Sequence, residues 1–545
     1  MILPSLPELQ MVMAMATFSM PCNPHSARDL LPNHASLVSA QVLEDNSTFV
    51  VPPSNLGFPK SPSGLPALCA LQIKVSADQD SSYDFGLFLP KHWNGRFLAV
   101  GNGGFAGGIN WQDMGAGVQY GFATMSTDTG HLSAPHDGSW AANDPEAVAN
   151  WGYKSMQGST QVAKQVIQRY YARDIAYSYY SGCSTGGRQG LKEAQEYPDE
   201  FDGILVGAPA WWTTHLQPWS VRIALHNLPT TASYHIPPEL YPVIGSEVLK
   251  QCDPQDGVVD NIISFPTGCE FQPAALLCNS GSPTGSCLTA EQLPTLYKIY
   301  NDWVETNQTF IFPHLLLGSE AQWAQYPLAD EPSGLGIDYM KYMVGLGSSW
   351  QWQDFTSNLI AVSEQVNPGN ATADNFDLSP FFRRRGKLLH YHGLADGGIA
   401  PGLSQYFYNR VLETLKPRGV KLSESYRLFY VPGMQHCFQT PENMKAPWYF
   451  AGAGQAGTLA PGPTARSVPG FENAQHDVML ALMEWVENGT APTQIIATKW
   501  ENDDPEASII RQRPLCMYPQ RAKLREWLGH TMDSNAASSW VCEDP

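Results

Sequence analysis

Short apolar runs alternate with amphipathic stretches at both ends of this chain. Residues 81–90 read as a strand, and residues 95–101 (G-R-F-L-A-V-G) as a buried strand running into a Gly-rich loop at 102–108. Residues 120–126 form another short apolar run, and residues 145–171 carry helical periodicity. A strand at 176–181 leads through a tight Gly/Ser turn into a helix over 187–196, and residues 201–207 are again a buried strand. Short strands alternating with helices predict an α/β fold with a largely parallel sheet.

The alternation stops at about residue 211 and resumes at 386. The stretch 211–385 is rich in Trp, Tyr, Pro, Asn and Ser and holds four cysteines from Cys252 to Cys287. Past it come a strand at 386–392, a helix at 404–415, a strand at 426–431 and a helix at 474–487. The simplest account is a catalytic core over residues 22–210 and 386–545, interrupted by a lid domain over 211–385. The tail after residue 498 is expected to pack back on the core.

Composition narrows the setting. The chain has 545 residues, 43% hydrophobic and only 15% charged, with a net charge of −19. An acidic surface of this kind repels phosphate backbones, so nucleic acid is not an expected partner. No run of 18 apolar residues exists, and no membrane span is expected. The ten cysteines form an even set, and Asn46, Asn307, Asn370 and Asn488 begin N-x-S/T sequons. Together these suggest an oxidising, glycosylating secretory route to the extracellular space. Residues 1–21 read as a candidate leader: 11–18 is mostly apolar, and Ala14-Met15-Ala16 has a small-x-small form. No basic residue precedes that run, and Glu8 and two prolines interrupt its approach.

Gly182-Cys183-Ser184-Thr185-Gly186 is a G-x-S-x-G turn between an expected strand and an expected helix. In this setting the turn exposes a serine hydroxyl, and its glycines remove side chains that would clash. A serine needs a base within hydrogen-bond reach, and the base needs an orienting carboxylate. In α/β-hydrolase order the acid and then the histidine follow the serine, each on a loop after a strand. Asp396 and His436 meet that order and context. The Thr185 N–H and the loop at Gly103-Gly104, with Gly104 foremost, are the candidate oxyanion donors.

Between Cys252 and Cys269, the run D-P-Q-D-G-V-V-D-N-I sets Asp253, Asp256 and Asp260 around Gly257. Hard cations such as Ca²⁺ want six to eight oxygens, so the Val258 and Ile262 carbonyls are the expected backbone donors. A solvated acidic turn is the plain alternative.

These residues resemble the tannase and feruloyl esterase family of secreted, mainly fungal α/β-hydrolases. The resemblance rests on G-C-S-T-G-G-R-Q-G at 182–190, F-D-G-I-L-V-G-A-P-A at 201–210 and G-N-G-G at 101–104. H-G-L-A-D at 392–396 and G-M-Q-H-C at 433–437 complete it, and it covers nearly the whole chain from Cys22. It implies an α/β-hydrolase core with a large inserted lid carrying a calcium site. It also implies Ser184 as nucleophile, His436 as base, Asp396 as orienter and a Cys183–Cys437 bridge. Cys252 with Cys269 brackets the acidic loop. Nearness and family pattern pair Cys278 with Cys287, Cys22 with Cys69 and Cys516 with Cys542. The substrate class implied is a phenolic ester, either a hydroxycinnamate on plant cell-wall sugar or a gallate. Other aromatic esters, a non-catalytic hydrolase-fold binding protein and a serine carboxypeptidase are the rivals. The lid's many aromatics, Trp211, Trp212, Trp219, Tyr241, Tyr297, Trp303, Trp323, Trp350 and Trp352, are expected mostly to fill its core. Oligomeric state is not legible.

Overall fold

A computed structural model of the chain describes residues 20–77, 81–281, 283, 285–460, 467–527 and 530–545. All but the last two residues of the candidate leader lie outside these. Nine strands form the central sheet: β1 (Ala35–Leu43), β2 (Leu68–Ser76), β3 (Ser82–Pro90), β4 (Arg96–Val100), β5 (Ala123–Thr127), β6 (Tyr177–Cys183) and β7 (Gly203–Gly207) come first. A small hairpin, β8 (Trp303–Val304) and β9 (Phe310–Phe312), lies outside the sheet, which β10 (Lys387–Gly393) and β11 (Tyr426–Val431) complete. The sheet order is β1-β2-β3-β5-β4-β6-β7-β10-β11. From β5 to β11 every pair is parallel, while β1, β2 and β3 run antiparallel on one side.

The parallel strands are buried along nearly their whole length because both faces are covered. Phe97 and Ala99 of β4 enter one core, and Leu98 and Val100 enter the other. The first core continues into the stretch between β7 and β10, where Trp219, Phe312, Trp323 and Tyr339 are buried with the sheet residues. That stretch is helical, with helices Thr213–Asn227, Tyr241–Cys252, Leu293–Ile299 and Asn358–Val366 around the small hairpin. The second core holds the tail hairpin, β12 (Gln494–Trp500) and β13 (Ile509–Cys516), through Ile495, Ala497 and Leu515. An antiparallel bridge from Phe429 to Met517 ties the tail to β11.

Several elements differ from the sequence expectation. The helix expected over 145–171 is Pro145–Ala149 and Ser155–Tyr171, joined by a π turn at Asn150–Lys154. The carbonyls of Trp151 and Gly152 in that turn accept from the buried Arg188 guanidinium, at 3.0 and 2.6 Å. A long-range partner therefore stabilises the bulge, a contact no local periodicity announces. The sequence reading also left out the edge strand β1, whose half-exposed positions blur the alternation, and its neighbour β2.

All ten cysteines are bonded, as Cys22–Cys69, Cys183–Cys437, Cys252–Cys269, Cys278–Cys287 and Cys516–Cys542. Among the described residues no helix is long and apolar enough to cross a membrane.

Candidate active site

β6 ends in Cys183, and the helix Thr185–Glu196 begins directly after Ser184. Ser184 joins them with φ 61°, a left-handed conformation that costs a non-glycine residue on the order of 1–3 kcal/mol. The turn is held by main-chain bonds: the Ser184 N–H donates to Gly207 at 2.9 Å, and the Ala210 N–H donates to Ser184 at 3.0 Å. The flanking glycines are sterically required. A Cβ on Gly182 would lie 2.7 Å from the Gly186 backbone, and one on Gly186 would lie 2.8 Å from the Asn102 carbonyl.

β10 and β11 end side by side in the sheet, and the loops after them carry Asp396 and His436. His436 Nδ1 lies 2.7 Å from Asp396 Oδ2. Asp396 Oδ1 accepts from the Gly398 and Ile399 N–H groups, each at 2.8 Å. Asp396 is fully buried. Burial pushes its carboxyl toward the neutral acid, but the neighbouring His436 and His392 outweigh that and hold it well below the usual carboxylate range. An ionised carboxylate on Nδ1 fixes the imidazole with Nε2 free to take a proton.

Ser184 and His436 line one cavity of about 310 Å³. The Cys183–Cys437 bridge joins their chain neighbours across 254 residues, with the Cα atoms 5.9 Å apart. Cys437, like Ser184, has positive φ, at 65°. Gly104 and Thr185 line the same cavity, and the Thr185 hydroxyl donates to the Gly104 carbonyl at 2.9 Å. The Trp151 indole N–H donates to that carbonyl as well, at 3.2 Å. Gly104 has φ 54°, and a Cβ there would lie 2.5 Å from the Pro135 carbonyl. The loop is thus locked in the wall of the cavity that Ser184 lines, which suits stabilisation of a developing oxyanion.

The cavity wall is mostly apolar, with Phe58, Leu216, Tyr326, Leu335 and Phe438. Asp113, His136 and Gln217 are polar points in it. Burial pushes the Asp113 carboxyl up to about 6, against hydrogen bonds from Asn110 and the Gly454 backbone. None of the nine aromatics singled out in the sequence lines the cavity. Trp211, Trp219, Tyr241, Trp303 and Trp323 are core residues instead. The ring beside His436 is Tyr326, edge-on with centroids 5.6 Å apart.

Sequence reasoning also missed Gln322. Its Oε1 accepts the N–H of Gly397 at 3.1 Å and the N–H of His436 at 3.0 Å. One amide from the stretch between β7 and β10 thereby clamps the loop of Asp396 to the loop of His436. Gln322→Leu leaves two buried N–H groups unpaired, each costing about 1–3 kcal/mol. The expected result is a kcat lower by about tenfold to a hundredfold with KM little changed, since small displacements of a base are expensive. Steady-state kinetics at one pH check this; an unchanged kcat counts against the clamp.

The acidic loop folds on itself. Asp253 accepts from the Asp260 and Asn261 N–H groups at 3.1 and 3.0 Å, and Asp256 accepts from Val258 at 2.9 Å. Asp260 accepts from Ile262 and also pairs with the buried Arg513. Among the described residues no three acidic, His or Cys side chains gather into a ready metal cage. The donor chemistry still suits a hard cation: of three carboxylates, two of them buried, only Asp260 is ion-paired with a guanidinium. Such a charge excess in a buried loop favours a divalent partner.

A family model described as tannase and feruloyl esterase matches residues 69–313 and 354–543. The chain is 32% identical over 479 residues to a probable feruloyl esterase B-1 of Aspergillus oryzae, covering 87% of this chain and 84% of that one. It is 31% identical over 526 residues to a probable feruloyl esterase B-2 of Aspergillus terreus, covering 96% and 95%. Among solved structures it is similar to feruloyl esterase B from Aspergillus oryzae, with TM-score 0.84 and 29% identity over 95% of this chain and 100% of that one. A tannin acyl hydrolase from Aspergillus niger shares the fold at TM-score 0.74 and 23% identity, covering 96% and 95%.

Proposed function

The chain belongs to the tannase and feruloyl esterase family, whose members are carboxylic ester hydrolases, and within it we propose that this protein cleaves feruloyl or related hydroxycinnamoyl esters of plant cell-wall polysaccharide through a Ser184 acyl-enzyme. The observation that carries the mechanism is the buried Asp396 bonded to His436, which lines the same cavity as Ser184. His436 Nε2 takes the Ser184 proton as Oγ attacks the ester carbonyl. The oxyanion is met by the N–H groups of Thr185 and Gly104. His436⁺ then gives its proton to the departing sugar oxygen, leaving feruloyl on Ser184. Water, deprotonated by the same nitrogen, attacks the acyl-enzyme and frees the acid. Asp396 stays ionised throughout and stabilises the imidazolium.

The hydroxycinnamoyl preference rests on the feruloyl esterase relatives and on the cavity. A mostly apolar wall with a few polar points suits a planar phenolic acid. Tyr326, Pro327, Ser333 and Leu335 of that wall lie in 314–353, the stretch the family model does not match. Substrate choice is therefore placed there in this reading. Hydrolysis of methyl ferulate, methyl gallate and a peptide tests it. Ferulate cleaved well above gallate and peptide is expected. Preference for gallate would make the protein a tannase, and cleavage of neither ester above the Ser184→Ala background would end the esterase reading.

Ca²⁺ is proposed for the acidic loop, held by Asp253, Asp256, Asp260 and the Val258 and Ile262 carbonyls. Its chemistry there is charge compensation far in sequence from the triad. Chelation is expected to lower Tm by several degrees, with readdition of Ca²⁺ restoring it, as for any ligand of the native state. A Tm indifferent to chelator and Ca²⁺ removes the site. Secretion and N-glycosylation are proposed alongside; the five disulfides fit an oxidising compartment, and Asn46, Asn307, Asn370 and Asn488 are all exposed.

A further inference from the structure

Behind Asp396 lies a buried row of side chains that the mechanism above leaves unused. His392, in β10, has Nε2 3.0 Å from Asp396 Oδ2 and 3.0 Å from the Ile399 carbonyl. Both partners only accept, so Nε2 carries a proton. His392 Nδ1 lies 2.6 Å from Ser404 Oγ. Ser404 Oγ lies 2.8 Å from His390 Nε2, and His390 Nδ1 lies 2.7 Å from the Tyr426 hydroxyl. Asp396, His392, Ser404, His390 and Tyr426 are all 0% exposed.

The acceptor at one end fixes the direction of every bond. A neutral His392 with its proton on Nε2 must accept at Nδ1. Ser404 has one proton and gives it there. Ser404 then accepts from His390 Nε2–H, and His390 Nδ1 accepts from Tyr426 O–H. Four donors point the same way, toward the carboxylate.

We propose that Tyr426, His390, Ser404 and His392 form a polarised relay that positions Asp396, spreads its negative charge and thereby moderates the basicity of His436. The inference rests on the reading of Asp396 and His436 as orienter and base. The four are positioning residues, since none lines the cavity. Aligned hydrogen bonds in a low-dielectric interior reinforce one another, so the last donor is stronger than a lone imidazole. Burial keeps both outer members neutral: it pushes Tyr426 well above and His390 well below their ordinary values. The titratable groups acting on Asp396 are His436, His392 and, from the stretch between β7 and β10, Tyr326. Those beside Tyr426 are Tyr408 and Tyr430, both pushed up by burial and so neutral too.

The sign of the effect follows. Removing a donor leaves Asp396 with more charge to share with His436, so His436 holds its proton more tightly. The base must be unprotonated to act, so the acid limb of kcat/KM moves to higher pH. A shift of about 0.5 unit is expected for His392→Phe, less for Ser404→Ala and least for Tyr426→Phe, because polarisation fades along the row. His392→Gln keeps an N–H donor and should restore most of the wild-type limb. Histidine ¹⁵N NMR of the wild type should find both His392 and His390 neutral with the proton on Nε2. The same spectra follow the titration of His436 without any substrate, so the relay is decided even if no phenolic ester is cleaved. An acid limb and a His436 titration unmoved by Ser404→Ala and Tyr426→Phe would overturn the relay. So would a His392 that is doubly protonated, or protonated on Nδ1. A His392→Phe chain that fails to fold leaves the other two variants and the wild-type spectra to decide.

Discussion

Ser184→Ala protein folds normally and loses ester hydrolysis by a factor on the order of 10⁴ or more. The fold survives because the elbow is built by its main chain and glycines. The Ser184 N–H to Gly207 and the Ala210 N–H to Ser184 are backbone bonds that alanine keeps. Alanine also bears the same positive φ at about the cost serine does. What goes is the one oxygen beside the Thr185 N–H and the Gly104 loop. Far-ultraviolet circular dichroism and initial rates on methyl ferulate check both halves. Residual activity within tenfold of wild type would mean that another nucleophile works in this cavity.

The second large effect concerns the bridge. Cys183→Ala with Cys437→Ala should lower kcat/KM by at least about a hundredfold, as expected when a base is displaced by about 1 Å. Closure of a 254-residue loop stabilises by about 5 kcal/mol in the chain-entropy model, an upper figure here because other disulfides and the sheet constrain the same chain. The parallel core from β4 to β11 does not depend on this bond, and four further disulfides remain. Cys183 and Cys437 have other work: they sit next to Ser184 and His436, and both Ser184 and Cys437 hold positive φ. Without the bridge the Cys437 turn can relax toward ordinary backbone and carry His436 away from Ser184, whose own elbow is held by its main chain. Activity should therefore fall by that factor in protein whose circular dichroism stays native. Loss of both together in the double variant would show that the bridge serves the fold as a whole.

Much of the site was legible because its demands are local. Gly182 and Gly186 are forced by close backbone approach, and Asp396 and His436 by their place on loops after strands. The cysteines beside Ser184 and His436 stand out for the same reason. The α/β alternation was legible because the buried parallel strands carry short apolar runs, such as those of β4 and β7, whereas half-exposed β1 was not. Contacts that depend on tertiary packing left no such trace. Gln322 is one polar residue in a stretch of turns, and only the folded chain brings it to Gly397 and His436. Tyr326 reaches the cavity while the tryptophans, larger and more conspicuous in the sequence, fill the core. Hydrophobicity ranks what is buried; it does not say which ring faces a ligand. His392 looked like one more strand residue until its partners could be named in space.

The most direct measurement is rapid-quench mass spectrometry of the enzyme mixed with 4-nitrophenyl ferulate. The account predicts one feruloyl group on the tryptic segment between Arg173 and Arg188, fragmentation placing it on Ser184, and no label in the Ser184→Ala protein. A feruloyl group on any other residue, or turnover that persists in Ser184→Ala, would contradict it.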